Sequence, residues 1–187
     1  MPSWEDQTRS ALLVLRYRGG DDGALTDLVA IWERRLYYYI RRLVDSEEDA
    51  WDLLQEVWCR VIRNLGGMRD DAAFPAWLYT VTRNTVRNHL RDTDHFSELP
   101  DRDNDQNDSS AHDEQVLPAF DAEELHRALE RLNVAHREAL TLHFLEGFSL
   151  DEIAGILAIP PGTVKSRLHY AKKALRRALR NEDQYYE

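Results

Sequence analysis

The chain has one cysteine, Cys59, which excludes an intramolecular disulfide and a thiolate metal cluster. No window approaches the ~20 uninterrupted apolar residues that a membrane-spanning helix needs. The first ten residues, Met1 to Ser10, lack the basic stretch and apolar core of a secretion signal, so the expected compartment is the cytoplasm, with no membrane insertion. No segment alternates apolar and polar residues long enough to propose a strand. The seven histidines (His89, His95, His112, His126, His136, His143 and His169) show no HExxH or other paired metal spacing. Glycine-rich phosphate loops and serine nucleophile elbows are missing as well. Catalysis, a metal site and a cofactor are therefore not expected.

Charge is abundant but unevenly placed. The formal net charge of −10 argues against nucleic acid until its distribution is considered. Residues 96–120 carry Glu98, Asp101, Asp103, Asp105, Asp108, Asp113 and Glu114 against Arg102 alone. From Thr163 to Arg180 the balance reverses, with Lys165, Arg167, Lys172, Lys173, Arg176, Arg177 and Arg180 and no acid. A basic stripe on an acidic protein localises nucleic-acid contact to one face. Taken alone, it also fits a solvated basic helix end.

Apolar periodicity divides the chain. From Asp92 to Pro118 it fails, and Asp, Asn, Ser and Pro accumulate; such a composition cannot bury enough surface to offset ordering entropy. The expected organisation is an N-terminal domain over 1–95, a flexible acidic linker over 96–120 and a C-terminal domain over 121–187. In the first, Gln7 to Arg18 reads as a short helix closed by Gly19-Gly20. Leu25, Leu28, Trp32, Leu36, Tyr39 and Leu43 form one stripe at spacings of three and four. A third helix begins near Ser46, buries Ala50, Leu53, Leu54, Val57, Val61 and Leu65, and ends at Gly66-Gly67. A fourth spans about Ala72 to Arg91. Tyr37, Tyr38 and Tyr39 are consecutive and cannot all face inward on one helix.

The C-terminal block opens with helices over Asp121–Leu132 and Ala135–Leu145, broken at Gly147. Ser149-Leu-Asp-Glu152 is a capping box starting a short helix to Leu157. After the turn Ala158-Ile159-Pro160, a longer helix carries Val164, Leu168, Ala171, Leu175 and Ala178 on one side, with Pro160 and Pro161 suited to its first turn. Short helix, tight turn and longer basic helix make a helix-turn-helix. The whole is expected to be all-α: two small helical domains joined by a flexible acidic linker. Thr163, Lys165, Ser166, Arg167 and His169 point outward near the start of the last helix, where hydroxyls and backbone amides suit phosphates and long basic chains reach phosphates or base edges.

Two further faces stand out. Asp49, Asp52 and Glu56 recur at spacings of three and four with Gln55 and Cys59 beside them, so like charges crowd one helix face. A solvated face is the ordinary reading of such a run; a basic partner is the other. Arg83, Arg87 and Arg91 lie at i, i+4 steps with Asn84 and Asn88 alongside, and Phe74, Trp77 and Tyr79 precede them. Cations, amides and aromatics together fit a single-stranded nucleic acid, although for each aromatic alone core packing is the simpler account.

Glu152-Ile-Ala154 with Pro160-Pro-Gly-Thr-Val-Lys-Ser-Arg-Leu168 resembles region 4.2 of bacterial sigma factors of the extracytoplasmic-function group. Glu48-Asp-Ala-Trp-Asp-Leu-Leu-Gln-Glu-Val57 resembles their region 2.2, and Phe74-Pro-Ala-Trp-Leu-Tyr79 with Arg83-Asn84 resembles regions 2.3 and 2.4. The motifs stand in the family's order and cover nearly the whole chain. The resemblance implies a transcription initiation factor that binds core RNA polymerase and directs it to promoters. Glu48, Asp49, Asp52, Gln55 and Glu56 would meet the β′ clamp helices, and the β flap would be a further contact. Phe74, Trp77, Arg83, Asn84, Arg87, Asn88 and Arg91 would hold a melted −10 element. Thr163, Lys165, Ser166, Arg167, His169, Tyr170, Lys172 and Lys173 would read a duplex −35 element, with Tyr170 standing where arginine is frequent. An anti-sigma factor is a possible further partner. A helix-turn-helix regulator binding duplex DNA without polymerase, and a protein-binding adaptor, remain the alternatives.

Overall fold

The computed structural model describes residues 4–92 and 122–183, and among them every regular element is helical. The N-terminal half comprises α1 (Trp4–Arg18), α2 (Gly23–Arg41), α3 (Glu47–Leu65), a 3₁₀ turn at Asp71–Ala73 and α4 (Phe74–Asp92). The C-terminal half comprises α5 (Ala122–Glu130), α6 (Val134–Leu140), a π turn at Thr141–Leu145, α7 (Leu150–Leu157) and α8 (Pro161–Asp183). The acidic segment 96–120 lies outside the described residues.

Local chemistry accounts for the boundaries. At the end of α1, Gly20 adopts φ +94. Its N–H donates to the Tyr17 carbonyl at 3.0 Å, and the Asp21 N–H to the Arg16 carbonyl at 3.1 Å. This paired closure uses the left-handed residue that glycine supplies without steric cost. Ser46 caps α3 by accepting from the Asp49 N–H, satisfying one of the orphan donors of the first turn. The Ser149–Glu152 capping box is complete, each side chain serving the other's backbone. The turn after α7 repeats the α1 closure with Ala158 at φ 54, and the Ile159 N–H donates to the Ala154 carbonyl at 3.2 Å. A non-glycine residue there costs about 1 kcal/mol, which the packed turn sustains.

The expected helix near Ala72–Arg91 differs in detail. Asp70 caps a separate 3₁₀ turn, and α4 begins only at Phe74, with Pro75 in its first turn. The expected helix at Ala135–Leu145 turns from α to π at Thr141, where the Glu146 N–H reaches back to the Thr141 carbonyl at 3.0 Å. That extra residue per turn is a local deviation which periodicity does not reveal.

The N-terminal core gathers Leu28, Trp32, Leu36, Tyr39, Leu54, Leu65, Phe74, Leu78 and Tyr79, all essentially inaccessible. Trp32 is its hub. Its ring meets Phe74 edge-on at 6.4 Å and Tyr79 at 6.3 Å, arrangements worth about 0.5–1.5 kcal/mol each beyond burial. Its indole N–H donates to Ser10 Oγ at 2.9 Å, and Ser10 Oγ–H donates to the Asp6 carbonyl at 2.6 Å. The C-terminal core is built from Ala128, Leu140, Leu142, Phe148, Ile153, Ile156, Leu157, Val164, Leu168, Ala171 and Leu175. Along α8 the buried stripe reaches Leu179, with Ala178 only half-buried.

Candidate functional site

The acidic face of α3 is solvent-facing. Glu48, Asp52, Gln55, Glu56 and Cys59 are exposed and Asp49 is half-buried. The opposite side of the same helix supplies Ala50, Leu53, Leu54, Val57 and Val61 to the core, so amphipathic packing fixes which side the acids face. Glu56 pairs with Arg60 at 2.6 Å, and Asp49 lies 3.9 Å from His89 Nε2 of α4. Trp51, 43% exposed, extends this face and stacks at 4.4 Å on Tyr37 of α2. Of the three tyrosines, Tyr39 is buried, Tyr37 half-buried and Tyr38 exposed.

On α4, Asn84, Arg87 and Arg91 are exposed, and Asn88 and Trp77 are half-buried. Phe74 is not on this surface. It is fully buried against Trp32 and 6.1 Å from Trp77, because position 74 opens α4 on the side packed against α2. The expected set is corrected there to a core residue. Arg83 is also turned inward, toward the C-terminal half.

At the start of α8, Lys165, Ser166 and His169 are exposed, and Thr163, Tyr170, Lys172 and Lys173 half-buried. Arg167 departs from expectation: it is only 7% exposed. Its neighbours Val164 and Leu168 are core residues, and position 167 falls on the edge of that buried stripe rather than opposite it. Ser166 Oγ–H donates to the Thr163 carbonyl at 3.0 Å.

The two halves meet through a junction that periodicity does not reveal. Arg83 Nε donates to Glu138 Oε1 at 2.9 Å, with the side chains 11% and 7% exposed. The Tyr39 hydroxyl donates to the same oxygen at 2.9 Å. Arg35 Nε lies 3.5 Å from Glu146 Oε2, and Arg137 donates to the Arg42 carbonyl at 2.8 Å. Tyr79 and Phe148 meet edge-on at 5.0 Å. Burial raises the Glu146 carboxyl above its usual range, while the Tyr79 hydroxyl and the guanidinium groups of Arg35 and Arg42 pull it back. Burial, then the Glu138 charge, drives the Tyr39 phenol well above its ordinary value. Desolvation lowers Arg42 and Arg137. Glu138 and Glu146 were not singled out from sequence, where each stands among mixed polar and apolar neighbours.

Family models match a stretch in each half. Sigma-70 region 2 matches residues 28–96 and Sigma-70, region 4 matches residues 122–175. The chain is 32% identical to RNA polymerase sigma-H factor of Pseudomonas aeruginosa, over 92% of this chain and 95% of that protein. It is 33% identical to RNA polymerase sigma factor CarQ of Myxococcus xanthus, over 88% and 94%. It is 30% identical to the ECF RNA polymerase sigma-E factor of Escherichia coli K12, over 91% and 94%. Among solved structures, the sigma factor RpoE of Bartonella quintana, in complex with the anti-sigma factor NepR, superposes with a TM-score of 0.65. Its identity is 25%, covering 83% of this chain and 96% of that one. CnrH, in complex with the cytosolic domain of CnrY, shares the fold, with a TM-score of 0.67 at 21% identity over 92% and 98%. The chain belongs to the extracytoplasmic-function branch of the sigma-70 family, the non-enzymatic initiation factors that direct RNA polymerase to promoters.

Proposed function

We propose that this chain docks on core RNA polymerase through α3 and reads a promoter in two parts, the −35 element as duplex through α8 and the −10 element as melted strand through α4. The observation carrying this reading is an acidic helix face and a basic, capped helix-turn-helix, both exposed on one chain. Glu48, Asp49, Asp52, Gln55 and Glu56 offer carboxylates and an amide to a basic partner, the β′ clamp helices. Lys165, Ser166 and His169, with Thr163, Tyr170, Lys172 and Lys173, offer short donors near the helix start and long cations further along, a combination suited to phosphates and base edges. Asn84, Arg87, Asn88 and Arg91, with Trp77 beside them, suit a strand with splayed bases. The functional units are 1–95 for polymerase and the −10 element, 96–120 as a tether, and 121–187 for the −35 element and the β flap. The site of action is the cytoplasm, and an inhibitory protein of the anti-sigma class is a further partner.

Run-off transcription with purified core polymerase and a promoter library tests this, together with retention of the chain on immobilised polymerase. Specific initiation and retention are expected. Tight binding to duplex DNA without polymerase, with no initiation, would instead identify a helix-turn-helix regulator.

A further inference from the structure

A short connection joins α3 to α4, and most of it faces solvent. Gly66, Gly67, Arg69 and Asp70 are exposed and Met68 is half-buried. Its backbone hydrogen bonds are local. The Gly67 and Met68 N–H groups donate to the Asn64 and Leu65 carbonyls at 3.1 and 3.2 Å, and the Ala72 N–H donates to Asp70 Oδ1 at 3.0 Å. Such bonds shape a turn without fixing its place against the rest of the domain. α1 supplies a longer-range tie. Arg18, in its last turn, donates from Nη1 to Asp71 Oδ1 at 2.7 Å across 53 positions of sequence. The Asp71 side chain is only 17% exposed, and the Asp71–Ala73 turn packs against α1. Arg16, two residues earlier, is held instead by Asp21 at 2.6 Å, within the closure of α1 itself.

We propose that Arg18 is a positioning residue for the strand-binding face of α4: through Asp71 it fixes how the chain enters that helix, and with it the setting of Trp77. This role rests on the reading of α4 given above. Asp71 opens the 3₁₀ turn that hands on to α4 at Phe74. Phe74 and Pro75 are buried, and the ring of half-buried Trp77 lies 6.1 Å from that of Phe74. Apolar burial is non-directional, so it sets how deep the first turn of α4 sits and leaves its approach loosely specified. A charge-assisted hydrogen bond is directional, and the bond from Arg18 specifies that approach. Further along, Leu78, Thr82, Thr85 and Val86 are buried and hold the body of α4 without help from Arg18. The influence of the pair is therefore confined to the connection and the first turn. A partly exposed ion pair shifts a local equilibrium by at most about five-fold, so graded effects follow from its loss, with the fold intact.

Amide hydrogen exchange on the full chain reads the tie directly. Arg18→Ala should speed exchange over residues 66–77 by up to about five-fold, with the centres of α2 and α3 unchanged. Arg18→Lys should stay near wild type, since an ammonium still reaches Asp71. Arg18→Asp combined with Asp71→Arg should exchange more slowly than either reversal alone. With core polymerase, Arg18→Ala should slow promoter opening several-fold while duplex binding and the melting temperature hold, and Arg18→Lys should recover opening. Unchanged exchange in Arg18→Ala overturns the tie. Faster exchange with normal opening overturns the positioning role, and so does slow opening that Arg18→Lys fails to recover. Asn84→Ala, measured alongside, separates this role from the reading beneath it. If Asn84→Ala slows opening and Arg18→Ala does not, only the role of Arg18 falls. If neither slows it, α4 is not the strand-binding helix and both fall.

Discussion

Arg83 of α4 and Glu138 of α6 form an ion pair of 2.9 Å across 55 residues of sequence, and both side chains are almost wholly shielded from water. That shielding separates it from Arg60–Glu56, which is shorter at 2.6 Å but 38% and 47% exposed. Exposed pairs contribute roughly 0–1 kcal/mol, whereas removing one member of a buried pair strands the other's charge. The junction pair therefore governs how the halves associate, and the α3 pair governs little.

Trp32 and Ser10 provide a test of the N-terminal core. Ser10→Ala leaves the buried indole N–H without its acceptor, so unfolding free energy should fall by about 1–3 kcal/mol. Arg60→Ala should lower it by less than ~1 kcal/mol. Urea denaturation followed by tryptophan fluorescence measures both; equal losses would contradict the contrast.

Glu146 should impart a pH dependence of definite sign. Its carboxyl is raised in the folded state by burial, so its favourable contribution is complete below the unfolded value and is lost as pH rises through the raised folded value. Stability measured from acid toward neutral pH should therefore decline less steeply in Glu146→Gln than in wild type. A steeper decline in the variant would reverse the assignment.

Lys165→Ala and Arg167→Ala should part company. Lys165 is exposed, so its loss should weaken duplex binding and reduce the salt slope by about one, with the melting temperature unchanged. Arg167 is buried, so its replacement should lower thermal stability along with any loss of affinity. Titrations at several salt concentrations, with melts of the same samples, distinguish the two.

Asp52→Lys and Gln55→Ala should lower polymerase affinity without moving the melting temperature, because both positions are exposed opposite the core face of α3. A surface charge reversal should act mainly on association rate and salt dependence. Unchanged affinity in both variants would remove α3 as the polymerase face.

Asn84→Ala should slow open-complex formation while leaving duplex −35 binding intact. Permanganate footprinting of the melted strand and duplex titration read the two steps separately. Equal loss in both assays would contradict the division between α4 and α8.

The helices themselves were legible in the residues. Spacings of three and four marked the cores of α2, α3 and α8, and Ser46, Ser149 and Gly20 marked ends through chemistry that acts within a few residues. The exposed acids of α3 followed from the same periodicity. Periodicity alone misplaced Arg167, which lies at the edge of a stripe where a few tens of degrees of helix rotation decide between solvent and core, and that rotation is set by the packed neighbour. Phe74 was drawn into the nucleic-acid set by the family resemblance, not by its spacing.

What the sequence determined by itself was therefore local and family-level: an all-helical chain, the capped helix-turn-helix, the acidic and basic faces, and membership among the sigma factors through three motifs in order. Only the tertiary structure decided that Arg83 faces Glu138 and that Glu146 is buried beside Tyr79 and Arg35. Contacts between residues 55 to 99 positions apart depend on how two separately patterned halves dock. Docking is set by shape and buried charge across the junction, and no periodicity within either half encodes it.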